Sequence, residues 1–199
     1  MRLTGMSLVT SATGEPLDIE DAKQHLRIEK GETAENEYIG QLCKVARSVV
    51  EDMTNRKCMP QTWKVTFDGC PTGSYVDIPV GPLSSIPSSG ITYKLSTGNS
   101  TQLGSTAWGY STQEHTPRVY LEYGQSWPSE TLNPIDPVAF ECKVGYPSSS
   151  AVPERMKLAM KMLVSHWYEN REPYLVGQTI THIPDAVDRL LYDLRLWEF

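Results

Sequence analysis

The stretch from Arg155 to Glu169 constrains the fold most, because it is predicted to be a helix that is apolar nearly all round. Val152-Pro153-Glu154 before it is typical of a helix start, with proline in the first turn and an acid behind it. A helix with so little polar surface must be buried on several sides. We therefore expect a central helix, a subunit contact, or both. Its apolar residues are Met156, Leu158, Ala159, Met160, Met162, Leu163, Val164, Trp167 and Tyr168.

Residues 1–59 are predicted to be helical. A first helix opens with Asp18 as its N-cap, has acids in its first turn, and is stopped at Gly31. A second helix runs from about Thr33 to Thr54 and carries an apolar stripe at helical spacing. We predict a bundle in which Ile39, Leu42, Ala46, Val49 and Met53 pack against Met156, Ala159, Leu163 and Trp167.

Residues 60–150 change to short alternating runs separated by turn residues such as Asp68-Gly69 and Thr97-Gly98-Asn99. They predict a small antiparallel sheet that is covered on one side. Pro79 and Pro82 put the second strand at an edge or end it. The five predicted strands are 62–68, 75–80, 91–96, 118–123 and 138–144.

Residues 151–199 return to helix after the sheet. Residues 173–183 are predicted to be a loop or extended arm, and a last amphipathic helix starts at Pro184-Asp185. The fold class is therefore α+β: a helical bundle core, from residues 1–59 and 151–199, with a small antiparallel β-sheet inserted at 60–150. We predict that one face of the last segment docks to a neighbouring protein, through Val187, Leu190, Leu191, Leu194 and Trp197.

Composition excludes several classes of protein. With 199 residues, 39% of them apolar, the chain can bury a real core, and no apolar run is long enough to span a membrane. A net charge of −6 argues against a protein that binds nucleic acid by neutralising phosphates. The spacing of Cys43, Cys58, Cys70 and Cys142 fits neither a disulfide scaffold nor a zinc ribbon, and indicates reduced thiols.

The sequence offers little catalytic chemistry, and we predict no enzyme activity, metal or cofactor. It contains no phosphate-binding glycine loop, nucleophile elbow or His-Glu-x-x-His motif. His166 and Glu169 lie three apart on a helix, but a local polar pair is the better interpretation than a metal site. A hydrolase that uses Cys58, Cys142 or His166 stays open as an unfavoured alternative.

Acidic residues cluster in the first forty positions. Such a cluster is usually a solvated face, and in an assembly it would also suit a wall that repels DNA in a channel. The acids are Glu15, Asp18, Glu20, Asp21, Glu29, Glu32, Glu35 and Glu37.

Several motifs stand in a characteristic order along the chain. The first, LDIEDAKQHLRI at residues 17–28, resembles the opening L-x-x-E-x-A-K-x-H-L-R of the head–tail connector (adaptor) proteins of tailed phages. Residues 163–171, LVSHWYENR, resemble their H-W-Y-x-N-R run, although Asn55 stands where the family usually has glycine. Further resemblances are at 45–51 with 54–56, 61–63 with 67–68, 83–86 with 91–93, 145–146, 152–153, 183–184 and 190–195.

The resemblance implies a structural protein of the virion neck, made in the host cytoplasm. Family members form a ring of about twelve copies beneath the portal protein and carry the next neck or tail component. DNA passes through the ring without specific binding, and no cofactor or membrane is involved. Arg47, Arg171 and Glu172 are candidates for inter-subunit pairing. A head-closure (stopper) or tail-end protein is the alternative, although such proteins are usually β-rich throughout.

Overall fold

The computed structural model describes residues 1–112, 116–171 and 185–196, and the fold is α+β. In these ranges the helices are α1 (Ile19–His25), α2 (Asn36–Thr54), α3 (Glu154–Glu169) and α4 (Asp185–Leu191), with 3-10 turns at Ser149–Ala151 and Tyr192–Leu194. The strands are β1 (Leu3–Thr10), β2 (Gln61–Phe67), β3 (Tyr75–Asp77), β4 (Leu83–Ser85), β5 (Ile91–Lys94), β6 (Ser100–Gln102), β7 (Trp108–Ser111), β8 (Arg118–Leu121) and β9 (Val138–Val144). None of these helices is long and apolar enough to cross a membrane.

The chain divides into two compact units. The β unit contains the described residues of 1–12 and 60–146 together with Leu196, and the helical unit contains those of 13–59 and 147–195. The chain therefore passes from the β unit into the helical unit and back again before the second set of helices.

The β unit consists of two antiparallel sheets that share one core. The larger has six strands in the order β1-β2-β9-β5-β6, with β4 also paired to β9, and the smaller has the order β3-β8-β7. Both sheets contribute buried side chains to a single cluster, and the rings of Phe67 and Phe140 meet edge to face at 5.5 Å. The cluster includes Val65, Phe67, Phe140 and Cys142 from the larger sheet and Val76, Trp108 and Val119 from the smaller one.

This β structure is more extensive than the small sheet expected from the sequence. All five predicted strands are present, and β3 ends before Pro79 and lies at a sheet edge, as predicted. The prediction that residues 1–59 are helical is wrong for Leu3–Thr10, which pairs antiparallel with β2. Because the partner of this strand lies far away in the sequence, no local sequence pattern predicts the pairing. Strands β6 and β7 are only three and four residues long, which hid them as well.

The helices of the helical unit begin and end close to the predicted positions. The Asp18 side chain accepts a hydrogen bond from the backbone N–H of Glu20, which confirms the predicted N-cap of α1. Helix α1 ends at His25, earlier than the predicted stop at Gly31. Helix α2 ends at Asn55, whose φ of 54° is left-handed, so asparagine does replace glycine at this cap.

Helices α2 and α3 pack against each other, but the predicted seam is rotated on α2. The buried apolar side chains of α2 are Ile39, Cys43, Ala46 and Val50, at the spacing i, i+4, i+7, i+11. Leu42, Val49 and Met53, which were predicted for the seam, are only half-buried beside it. On α3, Met156, Ala159 and Leu163 are fully buried as predicted, whereas Trp167 is half-buried.

Candidate interaction surfaces

Helix α3 is covered mainly by its own chain. Met160 and Val164 are buried along with the three seam residues, and Leu158, at 44% exposure, is the large apolar residue of this helix that faces solvent. Val45 on α2 is similarly exposed. The expected burial of this helix on several sides is therefore met within its own chain for five of its nine apolar residues.

Strand β1 is exposed instead. From Met6 to Thr10 every residue is exposed, including Met6 at 37%, Leu8 at 48% and Val9 at 51%. In the antiparallel register Met6 lies opposite Val65, and Leu8 lies opposite Trp63. Residues that face each other across an antiparallel pair project on the same side of the sheet. Met6 and Leu8 therefore project on the core side of the larger sheet.

The cover over this face ends between β2 and β1. Val65 is completely buried, whereas its cross-strand neighbour Met6 is exposed by more than a third. Leu3, at the other end of β1, still packs against the core. The uncovered part of β1, which we call the β1 strip, comprises Met6 and Leu8 on this face together with Val9, which lies at the register shift between Leu8 and Thr10. An apolar strip at a sheet edge is typical of a contact with another chain.

The C-terminal segment contributes to the core of the helical unit. Val187 and Leu191 are completely buried, which leaves neither side chain available for docking in this conformation. Leu190 and Leu194 are half-buried, and Trp197 lies outside the described residues. The Arg56 Nε also donates a hydrogen bond to the Leu194 carbonyl oxygen at 2.6 Å, which attaches the segment to the rest of the helical unit. Docking through Leu190 and Leu194 stays a prediction.

Arg47 belongs to a group of charges inside the helical unit. Its guanidinium donates to Glu15 at 2.8 Å and lies 3.6 Å from the buried carboxylate of Glu51. Glu51 also lies 3.6 Å from the Lys57 ammonium and accepts from the backbone N–H of Cys58 at 2.9 Å. A buried charge needs such partners because desolvation is costly. Arg47 is therefore engaged within the chain, and its proposed inter-subunit role is untested.

Arg171 is held in a second cluster at the end of α3. Its guanidinium is 2.5 Å from Glu35 and lies over the rings of Tyr38, at 4.7 Å, and Tyr168, at 5.0 Å. The Tyr168 hydroxyl also donates to Glu35. The hydrogen bond from Arg171 and that from Tyr168 lower the pKa of Glu35. Glu172, the other predicted pairing residue, lies outside the described residues.

The sequence candidates for catalysis gain no support from their surroundings. Burial raises the pKa of Cys43 to about 11 and that of Cys142 to about 12. Burial also raises the pKa of Cys58 and of the half-buried Cys70. Such thiols stay protonated at neutral pH, and the thiolate is the nucleophile. Across the described ranges no three His, Cys, Asp or Glu side chains are grouped to hold a metal ion.

The acidic cluster lies on the helical unit and dominates the charge of the chain. Eight acidic and three basic residues between positions 15 and 37 give this stretch a charge of −5, against −6 for the whole chain. An open groove of about 800 Å³ runs beside it, with Leu17, Ile19 and Cys43 among its lining residues. Glu15, Asp18, Asp21 and Glu37 also line the groove.

Comparison with known proteins identifies the fold through solved structures. No protein-family model matches the chain, and neither does any curated protein. A chain in the neck of an empty gene transfer agent (GTA) particle, computed with C6 symmetry, superposes with a TM-score of 0.79 at 20% identity, over 98% of this chain and 97% of that one.

Two further structures give the same fold. A chain of the virion of a native GTA particle has a TM-score of 0.76 at 20% identity, covering 98% of this chain and 96% of that chain. A chain in the neck of a native GTA particle, computed with C12 symmetry, has a TM-score of 0.73 at 19% identity, over 100% and 97%. At these identities the likeness establishes the fold alone, and it extends over 98–100% of this chain and 96–97% of the compared chains.

Proposed function

We propose that this chain is a structural protein of the neck of a tailed phage or phage-like particle, a head–tail connector (adaptor). It forms a ring beneath the portal protein, carries the next neck or tail component, and leaves a passage for DNA. The observation that carries the proposal is the fold shared with chains of GTA necks over 97–98% of both chains. The order of motifs from residue 17 to residue 195 supports the same assignment independently.

In this proposal the helical unit is the core of each ring subunit, and the β unit is the insertion. The continuous packing of α2 on α3 supports this, because a ring subunit needs a rigid frame to repeat its contacts around the axis. A stopper or tail-end protein is less favoured, since these are usually β-rich and here two long helices build a separate unit.

We further propose that the chain has no catalytic role and needs no cofactor. Protonated thiols argue against a cysteine hydrolase, which leaves binding as the function best supported by the surface. DNA passes without specific contact, in keeping with the net charge of −6.

Native mass measurement tests the assignment. The purified chain is measured alone and after mixing with the portal protein of the same particle. We expect a complex that contains one closed ring of this chain per portal ring, whatever the state of the chain alone. Binding of scattered single copies, or the absence of any complex, would contradict the proposal.

Portal docking is tested separately with Leu190→Asp and Leu194→Asp. These half-buried positions are used because removal of residues 185–196 would also remove the buried side chains of Val187, Leu191 and Leu196. We expect both variants to bind portal at least about tenfold more weakly, since a charge in an apolar contact is costly. Leu158→Asp on α3, at an exposed leucine of the same helical unit, is the control.

A further inference from the structure

We propose that the β1 strip is the surface through which one copy of this chain contacts the next copy in the ring. The inference rests on the proposed ring function and identifies the partner of one particular surface. The exposed apolar side chains of the chain are unevenly distributed. Of eleven large apolar residues that are exposed in the described ranges, four lie within residues 1–9: Met1, Met6, Leu8 and Val9.

The backbone of β1 is as open as its side chains. Among the described strands, β1 pairs with β2 on one side, and it forms one end of the six-stranded sheet. It is eight residues long, and Leu3–Thr10 contains no charged residue and no proline. Proteins usually protect an edge strand with lysine, proline, a β-bulge or a short length. Strand β1 has no lysine or proline and is not short, and its two register shifts lie near its ends, between Leu3 and Gly5 and between Leu8 and Thr10.

The other end of the same sheet shows the protected alternative. Strand β6 is three residues long, and its sequence, Ser100-Thr101-Gln102, is entirely polar. Both strands end the same sheet, so the difference is not a general property of its edges. Of these two edge strands, only β1 is long, uncharged and apolar. Such a strand is suited to contact with a specific neighbour.

Charge favours a second copy as that neighbour. Each copy carries −6, and residues 15–37 carry −5 of it, so two copies repel each other wherever their helical units approach. Contact between copies is least costly where neither side adds negative charge. The β1 strip is such a surface, because burying it brings no ionised group out of water. A partner of opposite charge would instead gain most at the acidic stretch.

The geometry of a ring adds one requirement. Copies around a cyclic axis make heterologous contacts, in which one patch meets a different patch on the next copy. The β1 strip is therefore one half of the contact. Pairing of β1 with β1 of a second copy would make a closed two-fold dimer and would not propagate around a ring.

The test introduces charge into the strip of the full chain. The double variant Leu8→Glu/Val9→Glu is compared with Tyr123→Glu, a control in the same unit at a fully exposed position. A second variant, Leu8→Thr/Val9→Thr, removes apolar surface while it retains residues that favour strands. Each is mixed with the portal protein, and the complexes are measured by native mass together with the concentration required for half-assembly. Thermal unfolding of each free variant checks the fold.

We expect the Tyr123 variant to assemble as the unmodified chain does. The glutamate variant should remain folded, but its half-assembly concentration should rise at least about tenfold, and complexes should hold few copies per portal. The threonine variant should shift in the same direction by less.

Complete rings of both strip variants at the unmodified concentration would overturn the inference and leave the proposed function standing. Complete rings that fail to bind the portal or the next neck component would also overturn it, because β1 would then face another protein. A self-association that stops at dimers would show β1–β1 pairing and overturn it too. If the unmodified chain forms no ring at all, the proposed function and this inference both fail.

Discussion

Helix α3 and strand β1 differ in how far their apolar side chains are buried, and the difference is the opposite of what their compositions suggest. The sequence of α3 predicts a helix that is apolar nearly all round, yet five of its nine apolar side chains are buried within its own chain and one, Leu158, is exposed. Strand β1 mixes apolar residues with threonine, serine and glycine, yet three of its four apolar side chains, those of Met6, Leu8 and Val9, are exposed. The difference shows that exposed apolar surface depends on what covers an element more than on how apolar the element is.

The burial of α3 and the exposure of β1 differ because different numbers of elements pack around them. Helix α3 contacts α1, α2 and α4, so its circumference is largely enclosed. In the β unit a six-stranded sheet shares its core with a three-stranded sheet, and the cover ends at β2. A smaller layer on a larger one leaves an uncovered margin, and β1 occupies that margin.

The largest effect on stability is expected at a buried position of α3. Leu163→Ala should lower the free energy of unfolding by about 2–5 kcal/mol, because the deleted side chain is completely buried and leaves a cavity. Leu158→Ala, on the exposed side of the same helix, should change it by less than about 0.5 kcal/mol. Denaturant unfolding measures both. Similar losses for the two would show that α3 is not enclosed in this way.

A second pair of variants locates the end of the cover in the β unit. Val65→Ala should cost about 2 kcal/mol, since two buried methyl groups are removed. Met6→Ala, across the strand pair on the same face, should cost less than about 0.5 kcal/mol in the free chain. A large loss for Met6→Ala would mean that the monomer already covers β1.

The smallest effect concerns the cluster around Arg171, which is exposed like β1 but makes its contacts within its own chain. The Glu35 pKa is lower in the folded chain than in the unfolded chain, so the cluster contributes stability above the unfolded value, roughly 4.3. That contribution is lost as the pH falls through the folded pKa.

Thermal unfolding as a function of pH measures this contribution. Arg171→Ala should lower the melting temperature slightly at pH 7 and not at all at pH 2, and added salt should reduce the difference at pH 7. A destabilisation that is the same at both pH values would assign the role of Arg171 to packing on Tyr38 and Tyr168 instead.

Local signals predicted much of this fold. The Asp18 cap, the left-handed Asn55, the limits of α3 and five strands all follow from residue types at fixed spacing. These features depend on neighbours in the sequence. The pairing of β1 with β2 does not, and only the uncharged run Leu3–Thr10 with its threonines and valine hinted at a strand.

The candidate surfaces were harder to predict, because they depend on burial in three dimensions. Val187 and Leu191 belong to a good amphipathic stripe, but the same pattern describes a helix that packs on its own core. Arg171 lies over the ring of Tyr168, three residues before it, but its carboxylate partner, Glu35, comes from the start of α2 and is far away in the sequence. The resemblance to the connector family indicated a neck protein but did not indicate which surface meets the next copy.

The most direct test of the account compares the accessibility of β1 in the free chain and in the assembled neck. A Leu8→Cys variant is treated with a maleimide, against a Tyr123→Cys control, while three of the four native thiols are buried. We predict that both engineered thiols react in the free chain and that only the one at position 8 becomes protected on assembly. Equal labelling of position 8 before and after assembly would contradict the claim that a second copy covers this strand.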